Sequence, residues 1–479
     1  MKSLLFLLPF AAALTASAAL PAVGPNYVRP AAPVPGSYRD VDTSFAWKAG
    51  TPADALSHGS WWRLFRDPVL DGLENRALAA NQDLRGAAAR VEEARAEAGL
   101  ARSDYWPRIA ANGEFTRERT SSTTANVFPA TLTNTYNAPL SATWELDVFG
   151  RVRRLSESAR ADAAASAATF EAVRLAMTAD VASTYFTLGA LDRELAIVRE
   201  TAELRRRALQ IENVRLRHGT AAEVDVARAE TELATADADA ADLENRRASV
   251  RNALAVLIGA PASDFQVTPS PVGRITAPVV PPGLPADLLE RRPDIAAAER
   301  SLAAANARIG VAKAAFFPAI SLTGSAGFAS DEVDTLFNAD SRVWSIGPRL
   351  YLPIFQGGRN RANLERSRAA FDEAVAIYRG RVLVAFRDVQ DALTSGRWIA
   401  AQLAAQQRAL TAAKRAEKLT QSRYDAGYVS YFEVIDAQRT SLAVERAAVR
   451  LEAQRLNASV ALIKSLGGGW TSTALVAAR

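Results

Sequence analysis

The chain contains no cysteine. Disulfides and thiolate metal sites are therefore excluded. It has two methionines and two histidines, His58 and His218. That is too few for a relay of soft metal ligands. Nowhere does it reach the run of about 18 apolar residues that a transmembrane helix needs. It has no phosphate-cradling Gly-x-x-x-x-Gly-Lys motif and no Gly-x-Ser-x-Gly elbow. No catalytic residue, cofactor or metal is expected, so the sequence does not read as an enzyme. No Lys/Arg block with interleaved aromatics occurs, so nucleic acid is not an expected partner. The excess of positive charge is small, +5 over 479 residues of which 23% are charged. Arg and Glu alternate along much of the chain, the mark of solvated helix faces.

One further absence organises the rest. Between Gly358 and Gly467 there is no proline. The stretch is rich in Ala, Arg, Glu, Gln and Leu, all good helix formers. Only Gly427 looks like a stop. The spacing predicts a helical hairpin, Arg359 to about Ala426 and about Tyr428 to Leu466. An unbroken first arm would reach roughly 100 Å, too long for a compact domain. The return arm carries a seven-residue column, Ile435, Leu442, Val449, Leu456 and Ile463. A second column, Ala437, Val444, Leu451 and Ala458, lies on the opposite flank. One seam suits a two-stranded coiled coil. Two seams suit a helix with a neighbour on each side, as in the wall of a tube.

The same pattern occurs 208 residues earlier. Gly427 becomes Gly219, and Leu466-Gly467 becomes Ile258-Gly259. The first column becomes Ala227, Ala234, Ala241, Ala248 and Ala255. The second becomes Ala229, Ala236, Leu243, Val250 and Leu257. The chain is thus a duplicated unit.

In order, residues 1–18 read as a secretory signal peptide, a Met-Lys start and a short apolar run closing on Ala16-Ser17-Ala18. Residues 19–67 form an extended lead-in. Trp61-Trp62 to Asp67-Pro68 open a helix, with Asp67 as N-cap and Pro68 at the first position. The first repeat, 68–259, holds strands at about 108–120 and 137–149, then the long hairpin turning at Gly219, with Gly189 as a second break. A Pro-rich connector covers 260–285. The second repeat, 286–467, holds strands at about 318–329 and 342–355, then the hairpin turning at Gly427. A tail, 468–479, follows.

The strands alternate apolar and polar with period two. Leu140, Trp144, Leu146, Ile320, Leu322, Phe328, Trp344 and Ile346 fall on the apolar face, expected to face lipid. Each strand has about the 9–11 residues that cross a tilted bilayer path. Open sheet edges are not tolerated in lipid, and the smallest common barrels have eight strands. Four strands per chain must therefore be shared between copies. The expected fold is mainly α with a small membrane β part. Long antiparallel helices form an α-helical barrel, and four strands per chain complete a 12-stranded transmembrane β-barrel in a trimer. A periplasmic coiled-coil scaffold is the alternative from another class; it has no use for amphipathic strands.

Read together, several runs resemble the TolC-like outer-membrane efflux channels, most closely the branch serving resistance–nodulation–division pumps. They are Val23-Gly24-Pro25-Asn26-Tyr27-Val28-Arg29-Pro30, Trp61-Trp62 with Asp67-Pro68, and Phe149-Gly150-Arg151. The others are Leu289 to Ile295, Pro353-Ile354-Phe355 with Gly357-Gly358, and Val434 to Arg439. The resemblance covers nearly the whole mature chain. It implies an outer-membrane location with a long periplasmic extension. The duct would be a passive homotrimer, fed by an inner-membrane pump through a periplasmic adaptor. A type I secretion duct shares the fold; the Gly-Pro-Asn-Tyr lead-in favours drug efflux. The branch carries a lipidated cysteine where this chain has Pro21, so no acyl anchor is expected. The resemblance also implies a periplasmic gate. Asp436 and Tyr424 match gate positions, with Arg423 and Asp225 as candidate partners. The turns Gly219-Thr220-Ala221 and Gly427-Tyr428-Val429-Ser430 are the expected docking points for the adaptor.

Overall fold

The computed structural model describes residues 22–32, 35, 38, 60–121, 131–278 and 291–468. The expected signal peptide, Pro21, the tail beyond 468 and most of the connector's second half lie outside the described residues. The chain divides into two compact units. One holds residues up to Ala31, Arg90–Ser166 and Ala297–Tyr378; the other holds Ala32–Ala89, Ala167–Ala296 and Arg379–Arg479.

The duplication is visible in the helices. α1 (Pro68–Ala80) and α2 (Gln82–Ser103) come first, then α3 (Arg151–Arg217) and α4 (Glu223–Leu257). α5 (Pro293–Ala314) opens the second half, followed by α6 (Arg359–Asp425) and α7 (Tyr431–Ser465). α3 and α6 have 67 residues each, α4 and α7 have 35 each. Gly189 does not break α3. It lies inside the helix because Val272 packs where a side chain would go: an added Cβ would sit 3.1 Å from Val272 Cγ1. The first helical stretch is instead broken at Asn81, whose Oδ1 accepts from Leu84 N and caps α2.

The sheet belongs to the first unit. β1 (Arg108–Ala111) and β2 (Glu114–Arg119) both pair with β3 (Leu132–Leu146), which pairs with β4 (Ala319–Ser330), which pairs with β5 (Arg342–Tyr351); every pairing is antiparallel. The strand expected at 108–120 is therefore interrupted at Asn112-Gly113. β3 starts five residues before the expected 137 and stops at Leu146, not at 149. The reason for the early stop is Asp147. Its carboxylate accepts from Val152 N at 3.0 Å and Arg153 N at 2.9 Å, the first free donors of α3, and so draws the chain out of the sheet. β5 stops at Tyr351, short of the expected 355. Pro353 has no N–H to continue a ladder. Ile354 and Phe355 lie beyond the strand and are exposed.

The second unit is cored by aromatics. Trp61–Phe65 is not extended but one 3-10 turn, which buries Trp61, Trp62 and Phe65 together. Trp61 Nε1 donates to Thr178 Oγ1 at 3.1 Å. Asp67 caps α1 through Val69 N and also accepts the Tyr185 hydroxyl at 2.7 Å; that hydroxyl in turn accepts from Ser270 N at 2.9 Å. Asp67, Tyr185 and Ser270 N satisfy one another, which permits their burial, whereas Trp62 Nε1 is buried without a partner.

The two return helices favour different flanks along most of their length. On α7 the column through Ile435, Val449, Leu456 and Ile463 is buried, and of the second column only Leu451 is. On α4 it is the second column, through Ala229, Ala236 and Leu243. Of the alanine column, Ala227, Ala234 and Ala241 are exposed, Ala248 is half-buried and Ala255 is buried.

Candidate functional site

The hairpin tips are built by the same local chemistry twice. Gly219 has φ 72° and Gly427 has φ 77°, the left-handed conformation that glycine adopts without penalty. Thr220 N donates to Arg215 O and Gly219 N to Leu216 O; Tyr428 N donates to Arg423 O and Gly427 N to Tyr424 O, all at 2.9 Å. This paired closure satisfies the last carbonyls of α3 and α6. Thr220 Oγ1 adds a bond to Arg215 O at 3.0 Å. Tyr428 stands 79% exposed at the tip, with Val429 half-buried and Ser430 starting α7. Ala221 is half-buried beside the first turn.

Above the tips, three buried carboxylates tie one repeat's hairpin to the other's. Glu212 of α3, 3% exposed, accepts the Tyr424 hydroxyl of α6 at 2.6 Å and Arg215 Nη1 at 3.2 Å. Arg215 also donates to the Tyr424 hydroxyl, and its guanidinium lies over the Tyr424 ring, 5.3 Å from the centroid. Burial and then the bond to Glu212 push the Tyr424 phenol well above its ordinary range. The hydroxyl thus stays protonated and remains a donor. Glu232 of α4 pairs with Arg205 of α3 at 2.9 Å and with Arg439 of α7. Burial lowers the pKa of Arg205; the bond to Glu232 raises that of Arg439. Glu194 of α3 accepts from Arg450 Nη2 at 2.8 Å and from Arg446 Nε at 3.4 Å, and Arg446 also reaches Asp239 of α4 at 2.7 Å.

Tyr424 is therefore bound inside the chain by Glu212 and Arg215, not by Arg423 or Asp225. Asp225 faces its own helix neighbour Arg228 at 3.8 Å. Asp436 and Arg423 are exposed, and neither side chain has a hydrogen bond or ion pair among the described residues. Glu194, Glu212 and Glu232 did not stand out in the sequence because each is one Glu among many on charged helices. A signal did exist on the partner helix. Arg439, Arg446 and Arg450 are spaced by seven and four and form one stripe beside the apolar column.

The second candidate surface is the sheet. The register places Leu140, Ala326 and Trp344 in one row, Trp144 and Leu322 in a second, Leu146, Ile320 and Leu350 in a third. Phe328 sits opposite Ala138 and Arg342. All eight expected lipid-facing residues thus share one face. Leu140, Trp344 and Ile346 are openly exposed. Trp144 is not: it is buried, with Nε1 donating to Tyr105 O at 3.0 Å. The other face carries Ser and Thr, as in the Ser325–Ser345 hydroxyl pair at 2.9 Å. Both edges of the sheet, β1/β2 and β5, lack a partner strand among the described residues. None of the described helices is long and apolar enough to cross a membrane. No group of three or more metal-ligating side chains occurs among the described residues.

Comparison with known proteins agrees with this arrangement. The family described as outer membrane efflux protein matches residues 73–260 and again 284–468. The toluene efflux pump outer membrane protein TtgF of Pseudomonas putida is 37% identical, over 93% of each chain. The cation efflux system protein CusC of Escherichia coli is 33% identical, over 97% of this chain and 98% of that one. Among solved structures, the open state of the Neisseria gonorrhoeae outer membrane channel MtrE superposes with a TM-score of 0.82 at 32% identity, over 94% of this chain and 98% of that one.

Proposed function

The chain belongs to the outer membrane efflux protein family, and on that premise we propose that three copies of it make one passive duct through the outer membrane. The single observation that carries this reading is the sheet: one apolar face and two unpaired edges. An unpaired backbone N–H or C=O in lipid costs several kcal/mol. Pairing β5 of one copy with β1/β2 of the next removes every edge. Three copies give twelve strands, enough for a water-filled lumen. The exposed alanines Ala227, Ala234 and Ala241 of α4 support the same closure, since small side chains let a neighbouring helix approach near the short end of the 8–10 Å range.

Cargo reaches the duct from an inner-membrane pump of the resistance–nodulation–division class, through a periplasmic adaptor that docks on the turns at Gly219-Thr220-Ala221 and Gly427-Tyr428-Val429-Ser430. Energy comes from the pump; the duct contributes a path and a gate. The toluene relative supports small organic molecules as the cargo. The gate is the Tyr424–Glu212–Arg215 contact within each chain, with Asp436 and Arg423 free to meet the neighbouring copy and Asp225 nearby on α4. The decisive experiment supplies the protein to a strain lacking its own duct but holding adaptor and pump, and records purified protein in planar bilayers. Restored drug tolerance and step-like conductance are expected. A protein that inserts but gives neither overturns the proposal.

A further inference from the structure

The apolar face of the sheet is not evenly filled. Ala142, Gly324 and Ala326 meet at its centre, on neighbouring strands and in adjoining rows. Larger side chains stand around them: Trp144 and Leu322 on one side, Leu140 and Trp344 on the other, Ile346 beyond. The result is a groove of about 620 Å³, within the size range of small-molecule sites.

Gly324 is the residue that keeps it open. Its backbone is not left-handed, and an added Cβ would meet only ordinary contacts, Ser345 O at 3.5 Å and Ile346 Cγ1 at 3.9 Å. Gly327, three residues on, is different: there an added Cβ would fall 2.3 Å from Ala138 O. The sheet needs glycine at 327 for close approach. At 324 it needs none, and the missing side chain serves only to leave space.

The groove has apolar walls and no free polar side chain to recognise a polar ligand. Trp144 Nε1 is committed to Tyr105 O. Thr323, Ser325 and Ser345 point to the opposite face, where Thr323 bonds Gly347 O and the two serines bond each other. The occupant must therefore be hydrocarbon. A neighbouring copy is not the occupant, because it pairs with the edges, in the plane of the sheet. The groove is continuous with the lipid-facing surface and lies in the half of the sheet nearer α2 and α5. At that end Trp106 and Phe316, just before β1 and β4, are exposed, as aromatics are at a membrane–water boundary.

We propose that this groove seats one acyl chain of a phospholipid from the periplasmic leaflet, held as a fixed component of each chain rather than as exchanging solvent. The proposal rests on the outer-membrane reading above. Native mass spectrometry tests it, on protein extracted in mild detergent and on protein in nanodiscs of phosphatidylethanolamine and phosphatidylglycerol. Wild type should retain one phospholipid per chain after most other lipid has been stripped. Gly324→Leu fills the groove and should lose that lipid while keeping trimer and bilayer conductance. If Gly324→Leu does not assemble, Gly324→Ala, whose Cβ fits, should show reduced retention. Wild type carrying no phospholipid or detergent only, or variants that retain the lipid as well as wild type does, would overturn the seat. Loss of conductance in wild type itself would instead strike at the duct.

Discussion

Glu74 is a carboxyl in the wrong place for an ionised group. It sits on α1, 0% exposed, and neither of its oxygens has a hydrogen-bond partner. Asp71, one turn earlier, adds like charge. Burial first, and Asp71 second, push its pKa up to about 9. In the unfolded chain the group ionises above about pH 4.3. Folding must therefore keep it protonated, at about 1.4 kcal/mol for each pH unit above that value. The cost is absent at pH 4, grows through the neutral range and levels off near pH 9. At pH 7 it amounts to about 3–4 kcal/mol. Glu74→Leu removes the ionisable group and suits the apolar surroundings. Thermal unfolding in detergent, followed by far-ultraviolet circular dichroism, should show the variant melting several degrees above wild type at pH 8. The two should converge toward pH 5. Parallel pH profiles, or a variant less stable at pH 8, would mean that Glu74 is ionised and paired, and the reasoning would fail.

Other outcomes follow from the hairpins. Tyr424→Phe with Glu212→Gln removes a hydrogen bond to a charged acceptor worth about 1.5–3 kcal/mol per chain; bilayer conductance should rise, and adding Asp436→Ala should raise it further, whereas unchanged conductance counts against the gate. A bulky residue at Ala221, such as Ala221→Trp, should abolish efflux while trimers persist; efflux retained would remove the turn from the docking surface. Tyr185→Phe leaves Asp67 and Ser270 N short of a buried partner and should lower stability by about 1–3 kcal/mol in chemical denaturation; a neutral result would show the junction to be hydrated.

Periodicity made the helical part readable. The 208-residue offset carries both hairpins with matching ends, because glycine at the turn and the apolar columns are local features. Asp67 and Pro68 announced α1 for the same reason. Strand ends were less legible. Alternation alone carried β3 on to 149, but Asp147 is claimed by the free N–H groups of α3, a competition that a period-two count does not contain. The 3-10 turn at Trp61–Phe65 was hidden because its aromatics are held by Thr178 and Phe186, more than a hundred positions away. The partners of Tyr424 were hidden likewise: Glu212 lies 212 positions earlier, and only the fold reveals that one Glu among many is buried. The apolar face of the sheet was readable residue by residue; that Trp144 is buried and bonded to the Tyr105 carbonyl was not.

The measurement closest to the centre of this account is molar mass in detergent by light scattering, taken with infrared spectra of the same sample. Three chains per particle with an antiparallel β band is the predicted result. A monodisperse single chain, with the edges of its sheet left unpaired, would contradict it.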